Sequence, residues 1–533
     1  MTKDLKTASK KRQPYLSESL KWLLAAIFFV AILLPLGFML FRINDQSVQD
    51  AFSTHSFGTL VRNSLAVAST ATVLTILLAY ALAIATQRCD IRLKGLFALI
   101  FTLPMLVPSI SNGMGLIILF GNNGILTRFF HWNGNIYGFG GIVVGSMLYA
   151  LPVAYLMLSD ILRYEDMTPY EAARVLGLSK WRQFTAITWP YLRRPLASVI
   201  FSVFALVITD YGVPTMVSDA KFKTLPMVMY DAAVGKSDFA QGAVYGSLLL
   251  VPAILAFVID LFNKDRSNSS FVTSQHEPHK SFGARFWSYL LCSVTSLLML
   301  LPFVAFGLLA FSKQYPNNLT FTLEHVTQTF KRGADGYLLN AIIIALLVGL
   351  IGTAVAFITA YFTARMSSGA SRFLHLASIT TGAIPGLVLG LAYVLAFKGS
   401  FLYGTLAILI MVNMVHFFAS PYLMIYNSLS KINVNLEPVG QTLGISRIRM
   451  IFGVFIPRCR GTLLEMFSYF FVNCMMTISA VSLLATPFNR PVSLMITQFN
   501  DQSKLAYCAV IALVILAVNL LMKGIIRLCK REK

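Results

Sequence analysis

The chain alternates long uncharged apolar runs with short polar, basic intervals from one end to the other. The runs fall at about 22–41, 60–86, 96–120, 138–159, 195–217, 240–261, 286–311, 337–362, 374–397, 402–427, 463–487 and 505–522. Each can cross a hydrocarbon core of about 30 Å as a helix of roughly 20 residues. Backbone polar groups in lipid must be bonded internally, which a helix does. The pattern predicts an all-α membrane protein with twelve transmembrane helices. The first run follows "MTKDLKTASKKRQ". It is longer than a signal-peptide core and ends without a small-x-small site, so it reads as an uncleaved span.

The most polar interior stretch, Asn263 to Phe286, reads as a cytoplasmic linker, and the sequence repeats across it. Asn63 and Arg88, bracketing the second run, match Asn340 and Arg365 at an offset of 277. At an offset of 267, "AYLML" (154–158) matches "PYLMI" (421–425), and Gly177, Ser179 and Pro190 match Gly444, Ser446 and Pro457. Six spans is an even number, so the two copies share one orientation in the membrane. The expected domains are a six-span repeat over 1–262, a linker over 263–285 and a second six-span repeat over 286–533, giving two parallel six-helix repeats.

Composition agrees: 56% of residues are hydrophobic, 12% are charged and the mean hydropathy is +0.70. The net charge of +21 suggests nucleic acid until it is mapped. With the N-terminus inside, 31 of the 43 Lys and Arg fall in cytoplasmic segments, the usual inside-positive bias of membrane proteins. No nucleic-acid partner is needed to explain it. The cysteines at 89, 292, 459, 474, 508 and 529 form no C-x-x-C pair, so neither a disulfide framework nor a metal knuckle is implied.

Against this apolar background stands "EAARVLGLSKWRQFTAITWPYLRRPL", Glu171 to Leu196, between the fourth and fifth runs, near the middle of a loop at about 165–195. Its image, "EPVGQTLGISRIRMIFGVFIPRCRGTL", lies in the matching loop near 430–460. Each reads as two short helices broken at a glycine. Gly177 takes a positive φ to end the first, Ser179 caps the second, and Pro190 stops it before the next span. One amphipathic loop could simply lie on anionic lipid of the inner leaflet. Two loops with the same Gly, Ser and Pro spacing point instead to a protein partner, because lipid binding needs no fixed glycine.

Glu171-Ala172-Ala173, three residues, Gly177, nine residues and Ile187-x-Trp189-Pro190 together resemble the EAA loop of the membrane subunits of bacterial ABC importers, with Trp189 where leucine is usual. The resemblance implies a multi-pass permease of the bacterial inner membrane with both termini cytoplasmic. It also implies a pair of separate cytoplasmic ATP-binding subunits, an external solute-binding protein and no cofactor. Carried over residue by residue, Glu171, Ala172, Ala173, Gly177 and Ser179 would contact one ATPase, and Glu437, Gly444 and Ser446 the other. The second copy departs from the pattern, with Pro438, Val439 and Gly440 at the E-A-A positions and Glu437 one place early. Fused permeases of this layout resemble the ferric-iron, thiamine and phosphonate group. "ITDYGVP" and the stretch 234–261 are most similar to the 2-aminoethylphosphonate-type members, with the iron type next. A secondary transporter of six plus six spans is the alternative, but it would not need two polar elbows.

Ionisable or amide side chains inside spans are functional candidates by default. Asp210, in "ITDYGVPTMV", reads either as a pathway residue with Tyr211 beside it or as an interfacial carboxylate bonded to water. Its counterpart, "MTISAVSLLATP", offers Thr477 and Ser479 and no acid, so any pathway is asymmetric. Asn63 and Asn340 read as interhelical hydrogen-bonders. His416, with Asn413, reads as a satisfied core histidine, because no second His or carboxylate stands one turn away to form a metal pair. External Lys221, Lys223 and Lys236 would suit an anionic solute or an acidic partner. No catalytic motif is found. "YDAAVGKS", Tyr230 to Ser237, lacks the first glycine of a phosphate-binding loop, so ATP hydrolysis is expected in a separate subunit.

Overall fold

In a computed structural model, residues 18–53, 57–131, 134–219, 222–263, 281–366 and 368–531 are described. The N-terminal polar segment, Lys221 and most of the expected linker lie outside them. Eight helices run long and apolar enough to cross a membrane: Glu18–Phe41, Phe57–Arg88, Phe139–Arg163, Lys180–Ile208, Phe239–Ile259, Phe282–Phe311, Glu324–Arg365 and Leu505–Lys530. Three further spans are bent pairs, Lys94–Leu106 with Ser109–Phe129 (102°), Gly369–Ala383 with Gly386–Phe397 (114°), and Leu406–His416 with Ala419–Ser430 (56°). The remaining expected span is the 17-residue helix Arg460–Met476. The fold is all-α with a repeated unit, apart from a small hairpin pairing Ser312–Gln314 with Asn318–Phe321.

Two breaks have a cause that repeats at the offset of 277. Val107 before Pro108 and Ile384 before Pro385 both leave the helical region, at φ −126°, ψ 154° and φ −94°, ψ 115°. A following proline ring clashes with helical backbone at the preceding residue and supplies no N–H. Spans three and nine are therefore two-armed, where the hydropathy pattern predicts straight helices.

Spans five and eleven also end earlier than expected, at Ile208 and Met476 rather than 217 and 487. In the first half the cause is Asp210, whose carboxylate accepts the backbone N–H groups of Gly212 (3.3 Å) and Val213 (3.0 Å) and so starts a new short helix, Gly212–Val217. A side chain that bonds nearby N–H groups competes with continuation of the helix.

The halves are interleaved in space. Span one packs on the second arm of span nine, with the Tyr393 hydroxyl donating to the Ala31 carbonyl at 2.7 Å and Phe28 meeting Phe418 edge to face. Span seven reciprocates on the second arm of span three: an ideal Cβ on Gly115 would come within 2.5 Å of Pro302, so only glycine admits this approach. Asn63 and Asn340, expected to bond between helices, instead bond loop carbonyls in matching ways. Asn63 donates to the Lys223 carbonyl (3.2 Å) and Asn340 to those of Phe488 (3.1 Å) and Arg490 (3.4 Å), tying the segment after span five or eleven to span two or eight.

Candidate functional site

Two features stand at opposite levels of the molecule: a pair of polar elbows at one face and a cavity between the halves. The first elbow starts with the helix Thr168–Val175 and the second with Leu436–Thr442. Both helices end in the same double-bonded glycine turn. Gly177 (φ +68°) donates to Arg174 at 3.1 Å and Leu178 to Ala173 at 3.0 Å; Gly444 (φ +72°) donates to Gln441 at 3.1 Å and Ile445 to Gly440 at 2.8 Å. This closes the last carbonyls of the helix, and the positive φ favours glycine. Ser179 and Ser446 then cap the next helix by accepting the N–H of Arg182 and Arg449, each at 3.4 Å.

The elbows differ from expectation beyond that point. Pro190 does not stop the second helix. A five-residue π turn, Phe184–Thr188, closed by the Trp189 N–H bonding to the Phe184 carbonyl, shifts the register ahead of the proline. The helix then runs unbroken from Lys180 to Ile208. A wider turn accommodates a residue that has no N–H of its own. The image turn, Ile451–Phe455, precedes Pro457 in the same way, but the second arm is interrupted at Cys459 before Arg460–Met476 begins.

Of the elbow residues expected to face a partner, Glu171 and Ala172 are exposed and Ala173 is buried. Glu437 turns inward. Arg365 donates from Nε to one of its carboxylate oxygens at 2.6 Å and pairs with the other, and also donates to the Ile432 (2.6 Å) and Asn433 (2.8 Å) carbonyls. One step along a helix rotates a side chain by about 100°, so an acid one place early points in a different direction from Glu171. Arg88, the repeat mate of Arg365, pairs instead with Glu165, ahead of the elbow helix. Tyr170 donates to Glu165 at 2.6 Å and meets Thr188 at 2.7 Å. Burial and the Glu165 bond push the Tyr170 phenol up to about 12, so it stays a donor at neutral pH. Outward, both elbows show apolar side chains at matching positions, Leu176 (76% exposed) with Leu443 (70%) and Trp181 (71%) with Ile448 (69%). Apolar patches of this kind on a polar elbow mark contact surfaces.

The cavity holds about 430 Å³ and is walled by both halves. The two proline breaks bring Ser109 and Gly386, the first residues of the second arms, to its wall. The ends of spans five and eleven bring Asp210 and Tyr211 from one half and Thr477 and Ser479 from the other, with Asp210 and Thr477 matching at an offset of 267. Asp210 also accepts the Ser109 hydroxyl. Its carboxyl group thus caps the N-terminal N–H groups of the short helix Gly212–Val217, a favourable place for an acidic side chain. His416 lines the same wall instead of sitting in a closed core, and an ideal Cβ on Gly386 would lie 3.0 Å from its Nε2. Tyr149, Ser202, Thr209, Ser420 and Asn473 add to the polar lining and carry no sequence signal of their own; the repeated X-Pro step at 107–108 and 384–385 was the available clue to where the wall lies. Among the described residues Asp210 is the only acid in the lining, and neither Lys nor Arg contributes.

"YDAAVGKS" takes the form of a π turn, Asp231–Gly235, leading into span six, and not that of a phosphate loop.

The family model described as "Binding-protein-dependent transport system inner membrane component" matches twice, over residues 73–264 and 352–532. The chain is 23% identical over 489 residues to the ferric transport system permease protein FbpB of Actinobacillus pleuropneumoniae, covering 88% of this chain and 71% of that protein. A putative ferric transport system permease protein, FbpB 1 of Haemophilus influenzae, is 23% identical over 449 residues, covering 81% and 71%. The thiamine transport system permease protein ThiP of Brucella abortus is 28% identical over 147 residues, about a quarter of each chain. Two matched copies on one chain, each carrying an elbow and one side of the cavity, make this protein a fused, multi-pass member of the binding-protein-dependent transport system inner membrane component family, the permeases of ABC importers.

Proposed function

We propose that the chain passes a small cationic solute of the ferric-iron type through its central cavity, driven by two ATP-binding subunits docked on the elbows. In this reading the elbows and both termini face the cytoplasm, and an external binding protein delivers the solute to the opposite face. The observation that carries the substrate class is the cavity lining: one carboxyl group, an imidazole, phenols and hydroxyls, with no Lys or Arg among the described residues. A metal cation would meet hard oxygen donors there, while the phosphonate group of 2-aminoethylphosphonate would find no Lys or Arg to neutralise it. The two long-matching relatives named for ferric transport support the same choice. The elbows support the energy source: two glycine-hinged helices with matching outward apolar side chains suit a pair of identical partner clefts.

The test is uptake by a strain lacking this chain, with and without the gene restored, using radioactive ferric salt and, separately, 2-aminoethylphosphonate as sole phosphorus source. Loss of ferric uptake alone upholds the proposal. Loss of growth on the phosphonate alone transfers the chain to the phosphonate group, where the "ITDYGVP" resemblance had pointed. Loss of ferric uptake that depends on an ion gradient and not on ATP would favour the secondary-transporter alternative.

A further inference from the structure

A second cavity, of about 590 Å³, opens at the end of the molecule away from the elbows. Its level follows from the helices that meet there. Span seven starts at the elbow face, where Arg285 pairs with Asp90 (2.7 Å), and delivers Lys313 at its far end. Span twelve ends at the elbow face, where Lys530 pairs with Glu465, and begins at Leu505 beside the cavity.

The walls come from four places: the end of span three with Asn122 and Asn123, Tyr137, the hairpin with Lys313 and Tyr315, and the head of span twelve with Lys504 and Tyr507. His325 closes the side. Tyr507 is the centre of a cationic cluster. The Arg332 guanidinium lies 5.2 Å from its ring centroid, the Lys504 ammonium 6.0 Å, and the His325 ring 5.9 Å. No carboxylate lines the cavity among the described residues. Two lysines facing one cavity with no carboxylate in its lining among the described residues favour a small anion between them. The volume lies in the range of small-molecule sites, and amide and phenol groups beside the cations supply hydrogen bonds.

The repeat gives an internal control. Aligned through Ser237 and Ser503, Lys504 has Asp238 as its mate, and that carboxylate accepts the Gln241 N–H at 3.0 Å at the start of span six. At the offset of 277, Gly121 of the cavity has Lys398 as its mate, which lies 5.4 Å over the Phe239 ring. The image place thus carries one charge of each sign, and the cationic cluster belongs to one side only.

We infer that this cavity is a binding site for a small oxyanion, a phosphate or carboxylate, held by Lys504 and Lys313 beside Tyr507. The inference is independent of the substrate read from the central cavity. The test is equilibrium dialysis of radioactive inorganic phosphate against the full chain in phospholipid-free detergent. Saturable binding of one phosphate per chain is expected, weakened tenfold or more by Lys504→Gln with Lys313→Gln. Lys236→Gln, on the image side, should leave it unchanged. Should the double variant fail to fold, Lys504→Gln alone provides the same comparison. If added phosphatidylglycerol displaces the phosphate, the natural anion is a lipid headgroup; if citrate displaces it and the lipid does not, it is a free anion. Either upholds the site. Absence of saturable binding, or equal affinity in wild type and variants, overturns it.

Discussion

The two elbows share a turn and differ in how they are held. Both close on a positive-φ glycine and a serine cap with hydrogen bonds that agree within 0.2 Å. Yet the first elbow continues into span five without a break and is anchored through Glu165, outside its own helix. The second is interrupted at Cys459 and is gripped directly, Arg365 holding Glu437 and the carbonyls just before it. One elbow is a stiff extension of its span, and the other is a jointed piece pinned to a neighbouring span. Duplication kept the local geometry that a partner would read and let the mechanical attachment diverge.

The strongest test of the shared part is Gly177→Arg against Gly444→Arg. A side chain at φ near +70° is strained by roughly 1–2 kcal/mol, and the new charge would stand beside Leu176 or Leu443. We predict that Gly177→Arg reaches the membrane but loses co-purification of its ATPase altogether. Gly444→Arg should lose it in part, because the E-A-A positions are already altered on that side. Full retention by Gly177→Arg would remove the first elbow from the contact.

The difference in anchoring is tested by Arg365→Ala against Arg88→Ala. Removing Arg365, 2% exposed, strands Glu437 and several carbonyls, a loss of about 3–5 kcal/mol for a broken buried pair. Arg88→Ala leaves Glu165 still bonded to the Tyr170 hydroxyl and should cost less, about 1–3 kcal/mol. Protease cleavage around residues 433–446 should rise sharply in the first variant, with a larger fall in Tm. Equal sensitivity would mean the two clamps are equivalent.

The same asymmetry reaches the cavity, where Asp210 has Thr477 as its mate. Asp210→Asn is expected to lower uptake several-fold with the ATPase still bound, while Thr477→Val should have a smaller effect; unchanged uptake in Asp210→Asn would make that carboxylate a helix cap and nothing more. The smallest effect is expected for Tyr170→Phe, which deletes the bond to Glu165 and so costs about 1 kcal/mol. In the wild type the raised phenol has a matching pH signature. Its folded-state pKa of about 12 exceeds the ordinary 10, so the stability it contributes is full below pH 10 and is lost as pH climbs towards 12. Melting curves at pH 8 and pH 11 should converge between wild type and Tyr170→Phe at the higher pH.

Much of this was legible in the residues. Gly177, Ser179, Gly444 and Ser446 could be placed because turn chemistry is local: a glycine after a helical run and a serine two places on have few other uses. The repeat was legible because spacing survives where identity does not. His416 was misread because a histidine in an apolar run looks the same whether it faces a closed core or a cavity wall. The ion pair that draws Glu437 inward was not legible, because its partner, Arg365, lies 72 residues away.

The sequence by itself determined the all-α membrane class, the duplicated unit and the elbows, since each follows from hydropathy, period or turn residues within a short window. Only the tertiary structure decided that the first span of each half crosses to the other, that Pro108 and Pro385 fold two spans back to wall one cavity, and that Pro190 is passed through by a π turn. It also decided that Lys504, Arg332 and His325 surround a single ring. Those outcomes depend on contacts between distant segments, where close approach at Gly115 or a pairing such as Arg365 with Glu437 chooses among arrangements that the local pattern leaves equal.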